Sequence, residues 1–343
     1  MSAAASQAAP IRATVLGAGA WGTTFAKVLA DAGCAVTLWA REPEVVEQIN
    51  SSHRNERFLA GFDLPASIVA TTDPAVALEA AELVIIAIPS QVARATLEQY
   101  RGLIGPQTVV ASLMKGVELA SGQLMSEVAR EALGLPAERL AVISGPNLAR
   151  EIAAEQPTAT VVASASEEAA ALVARACAAP YFRPYTNGDV VGVELSGAVK
   201  NVIALGVGIA QGLGYGWNTS ATLITRGLVE ITRLGMALGA KPETFAGLAG
   251  MGDLVATCAS PLSRNHTLGK HLGQGMSLEE ALLATGGTAE GVKSSQSVLA
   301  LAGRHGVEMP ITAGVVAAVT GQMSVAELGP ALLGRPHKAE ANS

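Results

Sequence analysis

Residues 11–22 read IRATVLGAGAWG, a short apolar run that meets glycines in a GxGxxG pattern and passes into a segment of helical character. No other feature constrains the fold as strongly. The three glycines answer three needs: Gly17 permits a tight turn, Gly19 lets the backbone approach a diphosphate, and Gly22 lets helix and strand pack closely. The helix start then offers unpaired N–H groups and a positive dipole end to phosphate. GxGxxG alone is a weak signal. Placed after a strand and at the head of a helix, it predicts a βαβ unit that binds a dinucleotide.

Strand-like segments recur at 35–39, 83–88, 108–112, 141–144, 158–163 and 182–186, with helical stretches between them, such as 43–50. LVIIAI at 83–88 is the continuous run expected of a strand buried on both faces. The alternation predicts an α/β fold with a mostly parallel, doubly wound sheet. The texture changes near Asn187-Gly188-Asp189. Beyond it, helices are expected over 190–211, 220–238, 278–284, 292–305, 312–320 and 324–328. The expected organisation is a tail over 1–10, a dinucleotide-binding domain over 11–188, an all-helical substrate and catalytic domain over 189–333, and a tail over 334–343. The 37 glycines, several inside apparent helices, imply close backbone approach to a neighbouring helix or to a ligand.

Composition narrows the function. The net charge is −6 and no basic stripe appears, so nucleic acid is not an expected partner. The longest apolar stretch, around 199–213, is interrupted by Lys200, Asn201 and Gln211, and no membrane span is expected. Cys34, Cys177 and Cys258 lie far apart without metal-ligand spacing. They read as free thiols of a reducing cytoplasm, and no metal is expected. Residues 1–10 lack the charged start and apolar core of a secretory signal.

Several polar clusters interrupt apolar surroundings. Lys115, in Met114-Lys115-Gly116, follows a predicted strand, as does Ser144-Gly145-Pro146-Asn147. Ligands in doubly wound folds lie beyond the carboxyl ends of strands. Lys200 and Asn201 sit on a helix among Leu195, Val199, Val202 and Ile203. A lysine there is costly to bury, and desolvation lowers its pKa towards the range of a proton donor or acceptor. Gly197, Gly206 and Gly208 leave that helix open to close ligand approach. GLAGMGDLVAT over 247–257 carries the single acid Asp253, and Ser263-Arg264-Asn265-His266 reads as a donor-rich turn suited to phosphate. At the end of the second strand, where an acid commonly selects NAD, stands Arg41, followed by Glu42. An arginine there can stack on adenine or pair with a 2′-phosphate, so the cofactor is NAD or NADP.

Taken together, GAGAWGT (17–23), MKGVE (114–118), SGPNLAREI (144–152), ELSGAVKNVIALGVGIAQGLGYGWNT (194–219), LAGMGDLVATC (248–258), SRNHTLG (263–269) and AEGVKS (289–294) resemble the bacterial NAD(P)-dependent glycerol-3-phosphate dehydrogenases in order and spacing. The resemblance covers the chain except its two tails. It implies a Rossmann domain followed by a helical domain, and reversible hydride transfer between NAD(P)H and dihydroxyacetone phosphate that supplies glycerol 3-phosphate for phospholipid synthesis. It implies that Lys200 exchanges the proton of the C2 oxygen, with Asp253 and Thr257 positioning it. Lys115 becomes a second active-site lysine touching cofactor and substrate. Gly145, Asn147 and Asn201 fall at the substrate, and Ser263, Arg264 and Asn265 at its phosphate. The cofactor side comprises Gly17, Gly19, Ala20, Trp21, Gly22, Arg41, Lys115, Ala149 and Arg264, with Thr288 and Glu290 closing over it. Ala20 stands where the family often has Ser, a tolerable change because the backbone N–H binds the phosphate. A small-molecule substrate and a cytoplasmic location follow, and a homodimer is open. The alternative is a β-hydroxyacid or 6-phosphogluconate-type dehydrogenase of the same architecture, disfavoured by the SRN cluster together with GMGDLVAT.

Overall fold

The computed structural model describes residues 9–286 and 290–333. Their contacts group into two units. The first holds residues up to Met114, Ser126–Ile143 and Ala149–Val190, and the second holds Lys115–Met125, Ser144–Leu148 and the chain from Val191 onward.

The first unit is built on eight strands: β1 (Arg12–Leu16), β2 (Ala35–Trp39), β3 (Val69–Thr71), β4 (Leu83–Ile86), β5 (Val109–Ser112), β6 (Leu140–Ser144), β7 (Thr158–Ser164) and β8 (Phe182–Asn187). They form one sheet in the order β3-β2-β1-β4-β5-β6-β7-β8. β1 pairs in parallel with both β2 and β4, so the strand order reverses beside it. Such a switch point leaves a crevice at the carboxyl end of β1, where doubly wound sheets bind ligands. The eight helices of this region are α1 (Ala20–Asp31), α2 (Pro43–Ser52), α3 (Glu56–Leu59), α4 (Pro74–Leu78), α5 (Ala93–Glu98), α6 (Met125–Leu133), α7 (Ala149–Ala153) and α8 (Glu167–Ala176). Val15, Leu16 and all of β4 are fully buried, as a strand covered on both faces requires. Among the strands, β3 has no counterpart in the sequence reading.

The second unit is helical: α9 (Val190–Gly212), α10 (Trp217–Ala237), α11 (Pro242–Phe245), α12 (Asp253–Ala259), α13 (Arg264–Gly273), α14 (Leu278–Ala284), α15 (Glu290–Arg304), α16 (Pro310–Val319) and α17 (Val325–Leu333). Every residue of α9 from Gly192 to Ala210 is buried. By length and composition α9 could cross a membrane, yet 89% of its apolar window is packed inside the protein, as a helix apolar on all sides requires in a core.

Glycine sets the spacing of α9 and α13. A Cβ on Gly208 would strike the carbonyl oxygen of His266, and one on Gly212 that of Lys270. Reciprocally, a Cβ on Gly269 would strike the carbonyl of Leu205, and one on Gly273 that of Ile209. The partners advance together along both helices, so the two run side by side in one direction with their backbones touching. Gly206 instead faces Val315 and Ile311. These glycines therefore serve packing between helices, and the expectation that Gly206 and Gly208 open α9 to a ligand is corrected. Glu230 of α10, buried, accepts hydrogen bonds from the N–H groups of Ile311 and Thr312, which head α16.

Candidate active site

In the first unit the GxGxxG loop leaves β1 at the switch point. Gly17 has φ +117°, and its N–H donates to the carbonyl of Trp39 at 3.0 Å. A Cβ on Gly22 would strike the carbonyl of Gly17, whereas a Cβ on Gly19 meets nothing within 4 Å. Close packing at Gly22 and open space at Gly19 are what the tight turn and the approach of a diphosphate each demand. Gly19 is the N-cap of α1, and no side chain caps that helix start. Ala20 and Trp21 stand at its head. The indole of Trp21 packs edge-on against Phe25, and its Nε1–H is buried without a hydrogen-bond partner. An uncapped helix head, an open cradle and an orphaned donor together fit an anionic dinucleotide.

Arg41 lies at the end of β2 with 83% of its side chain exposed, and its Nη2 pairs with Glu42 Oε1 at 2.8 Å. Glu42 thus turns toward the guanidinium. Ala149 heads α7, and its carbonyl accepts from Thr24 Oγ1 of α1 at 3.2 Å. One side chain that the sequence reading did not single out also serves this loop. Asn55, buried, donates from Nδ2 to the carbonyl of Ala18 at 2.9 Å and to Thr23 Oγ1 at 2.8 Å. Its position as N-cap of α3 is legible locally, but its reach to residue 18 is not.

In the second unit the chemistry gathers on one carboxylate. Asp253 opens α12, directly after a turn of π-helix over Leu248–Gly252, and is 1% exposed. A Cβ on Gly250 would strike the backbone of Phe245, so glycine is what lets that turn close. Lys200 Nζ donates to Asp253 Oδ1 and, at 2.7 Å, to Thr257 Oγ1. Lys115 Nζ donates to Asp253 Oδ2 at 2.7 Å and to the carbonyl of Gly145 at 3.5 Å. One carboxylate thus spans two lysines, one oxygen to each. The Lys115 segment is held in turn by Arg304, which donates to the carbonyls of Ser121 and Gly122. A Cβ on Gly197, one turn before Lys200, would strike Ser144 Oγ and lie in ordinary contact with the stem of Lys115, so this glycine makes room for the end of β6.

The electrostatics of Lys200 follow from this geometry. Burial disfavours its ammonium most, Asp253 holds it up, and Lys115 pushes it down. The result is a pKa lowered from 10.5 to about 7. Such a group releases and accepts protons near neutral pH. The free thiols do not compete for this role: burial pushes Cys34 up to about 11, and Cys177 and Cys258 up to about 12.

The Ser263–His266 quartet is not an isolated turn. Ser263 is the N-cap of α13, its Oγ accepting from the His266 N–H at 3.3 Å, and Arg264 is the first, exposed residue of the helix. A guanidinium at a helix N-terminus is a fitting anion site. His266 Nε2 lies 2.9 Å from Gln211 Oε1. Asn265 Oδ1 accepts from the Gly291 N–H at 3.0 Å, and a Cβ on Gly291 would strike both Asn265 Oδ1 and the carbonyl of Asn201. The glycine contact between α9 and α13 therefore brings Asn201, next to Lys200, beside the start of α13. Asn147 lies in the short Ser144–Leu148 segment of this unit, two residues after Gly145. Glu290 begins α15, and Thr288 lies outside the described residues. No group of His, Cys, Asp and Glu suited to a metal occurs among the described residues.

Comparison with known proteins bears on this arrangement. A family model described as NAD-dependent glycerol-3-phosphate dehydrogenase N-terminus matches residues 12–170, and its C-terminal companion matches 189–329. A glycerol-3-phosphate dehydrogenase [NAD(P)+] from Streptomyces griseus is 59% identical over 310 residues, covering 90% of this chain and 92% of its own. One from Corynebacterium jeikeium is 54% identical, covering 96% and 100%. Among solved structures, glycerol-3-phosphate dehydrogenase from Coxiella burnetii superimposes with a TM-score of 0.91 at 38% identity, covering 95% of this chain and 99% of that one.

Proposed function

The chain belongs to the NAD-dependent glycerol-3-phosphate dehydrogenase family, and on that premise we propose that its buried Lys200–Asp253–Lys115 cluster carries the interconversion of dihydroxyacetone phosphate and sn-glycerol 3-phosphate. Bound NAD(P)H supplies the hydride that reduces the ketone carbon. The chain's own groups must then manage the charge that builds on the C2 oxygen. Lys200 donates its proton to that oxygen in reduction and takes it back in oxidation. Its pKa of about 7 keeps both forms available near neutrality. Asp253 and Thr257 hold Nζ by hydrogen bonds. Lys115, sharing the carboxylate, adds a second cation that favours the developing oxyanion.

Arg264 and the N–H groups at the head of α13 bind the substrate phosphate, with Ser263, Asn265 and Asn201 alongside. Fixing the phosphate orients the carbonyl for transfer. Gly145 and Asn147 line the substrate next to Lys115. Gly17–Gly22 would hold the diphosphate of the dinucleotide at the head of α1, with Arg41 at its adenosine end and Ala149 in the same unit. A cytoplasmic enzyme supplying glycerol 3-phosphate for phospholipid synthesis is the setting this reading favours.

The observation that carries the proposal is Lys200, buried on α9 and hydrogen-bonded to one buried carboxylate that Lys115 shares. Purified protein mixed with dihydroxyacetone phosphate and NADH or NADPH should consume the reduced nicotinamide, followed by its absorbance. Consumption with a β-keto acid but not with dihydroxyacetone phosphate would overturn it.

A further inference from the structure

We infer that Asn55 is a positioning residue for dinucleotide binding, acting by fixing the direction of one peptide group in the glycine-rich loop. The inference rests on the reading of that loop as the cofactor site.

The hydrogen bonding of this side chain leaves little freedom. Asn55 is 1% exposed. Its Oδ1 accepts from the N–H of Phe58 at 3.3 Å, capping α3. Its Nδ2 donates to the carbonyl of Ala18 and to Thr23 Oγ1, and Thr23 Oγ1 itself donates to the same Ala18 carbonyl at 3.0 Å. Phe58 N–H can only donate and Ala18 C=O can only accept, so the amide has one orientation and both its donors are engaged. Ala18 is buried, and its carbonyl is thereby drawn toward Asn55 and α1 by two donors.

The consequence lies across the peptide bond. In a trans peptide the C=O and the following N–H lie in one plane and point in opposite directions. No cis peptide occurs among the described residues. Pinning the Ala18 carbonyl inward therefore aims the Gly19 N–H away from Asn55. A Cβ added to Gly19 would meet only open space, and Gly19 is the N-cap of the uncapped α1. Its N–H is thus directed outward and pre-set for an anionic oxygen. Without Asn55 and Thr23, the flexible glycine peptide must be ordered at the moment of binding, at a cost in affinity.

The position separates two tasks that variants can divide. Asn55→Ser keeps a good N-cap for α3 but cannot reach Ala18, so loop anchoring is lost while helix capping stays. Thr23→Val keeps the buried shape and removes the second donor to the same carbonyl. The test is fluorescence titration of NADH and of ADP-ribose into each protein, together with thermal unfolding without ligand and steady-state kinetics. Asn55→Ser should raise both dissociation constants about tenfold, equivalent to about 1.4 kcal/mol. Thr23→Val should raise them by a smaller factor. At saturating cofactor, kcat and the KM for dihydroxyacetone phosphate should stay at wild-type values, a split that a general loss of folded protein would not produce. Wild-type affinity for both ligands in folded Asn55→Ser would overturn the inference, as would wild-type affinity in Thr23→Val if Asn55→Ser does not fold. Failure of the wild type to bind NADH or ADP-ribose would instead overturn the reading of the loop.

Discussion

Replacing Asp253 by Asn keeps the shape of the site and removes the charge that two lysines share. In the native protein Asp253 is 1% exposed and gives one oxygen to Lys200 and the other to Lys115. Removing one partner of a buried ion pair costs about 3–5 kcal/mol. Most of that falls on Lys200, whose ammonium is already disfavoured by burial and opposed by Lys115. With Asp253 neutralised, burial and Lys115 act on Lys200 unopposed, and its pKa moves further down from about 7. The sign is then fixed. Ketone reduction needs protonated Lys200, so its rate in the wild type falls as pH rises through about 7, while alcohol oxidation rises over the same range. In Asp253→Asn, Lys200 is neutral across the assay range of about pH 6 to 9, and reduction loses the factor of about 10²–10⁴ that a positioned acid supplies. The pH profile of kcat/KM for the substrate of each direction, measured with saturating cofactor, reads Lys200 before substrate binds. A variant that keeps the wild-type limb near neutrality, at comparable amplitude, would refute the coupling of Lys200 to Asp253.

Three further outcomes are expected. Arg264→Ala should raise the KM for dihydroxyacetone phosphate sharply, and unphosphorylated dihydroxyacetone should be a very poor wild-type substrate; equal kcat/KM for the two ketones contradicts the phosphate role. Arg41→Ala should weaken NADPH more than NADH, because only the 2′-phosphate exchanges for the Glu42 carboxylate as a charged partner, a difference of about 1.5–3 kcal/mol; equal losses in titrations of the two cofactors mean that Arg41 only stacks on adenine. Gly269→Ala should destabilise the protein by about 1–3 kcal/mol, since its Cβ strikes the Leu205 carbonyl, whereas Gly303→Ala, on open helix surface, should stabilise by about 0.5–1 kcal/mol. Denaturant unfolding of both variants checks the contrast.

The sequence made the sheet legible where the signal was a long apolar run. β4, with its LVII core, and β1, leading into GAGAWG, could hardly be read otherwise. β3 was invisible because three residues, VAT, carry no periodicity. SRNH at the start of α13 is polar throughout and reads as a turn, although the same residues are suited to an N-cap and a first turn. The site residues announced themselves as polar groups in apolar surroundings, and Lys200 on its buried helix is the clearest case. That Asp253 would bridge Lys200 and Lys115 depends on contacts between residues 53 and 138 positions apart. Local pattern holds no such information. The same reason hid Asn55, whose partner at Ala18 is 37 residues away. At Gly206 and Gly208 of α9 a helix fills the gap where a ligand was expected, because spacing alone does not distinguish the two.

The most direct test of the whole account is the turnover of Lys200→Ala beside its cofactor affinity. Lys200 is assigned to proton transfer and the glycine-rich loop to dinucleotide binding, so NADH titration should give a dissociation constant close to the wild type. Reduction of dihydroxyacetone phosphate should fall by about 10²–10⁴, because the proton donor is gone. Retention of more than about a tenth of wild-type kcat, with NADH bound normally, would contradict the assignment of proton transfer to Lys200.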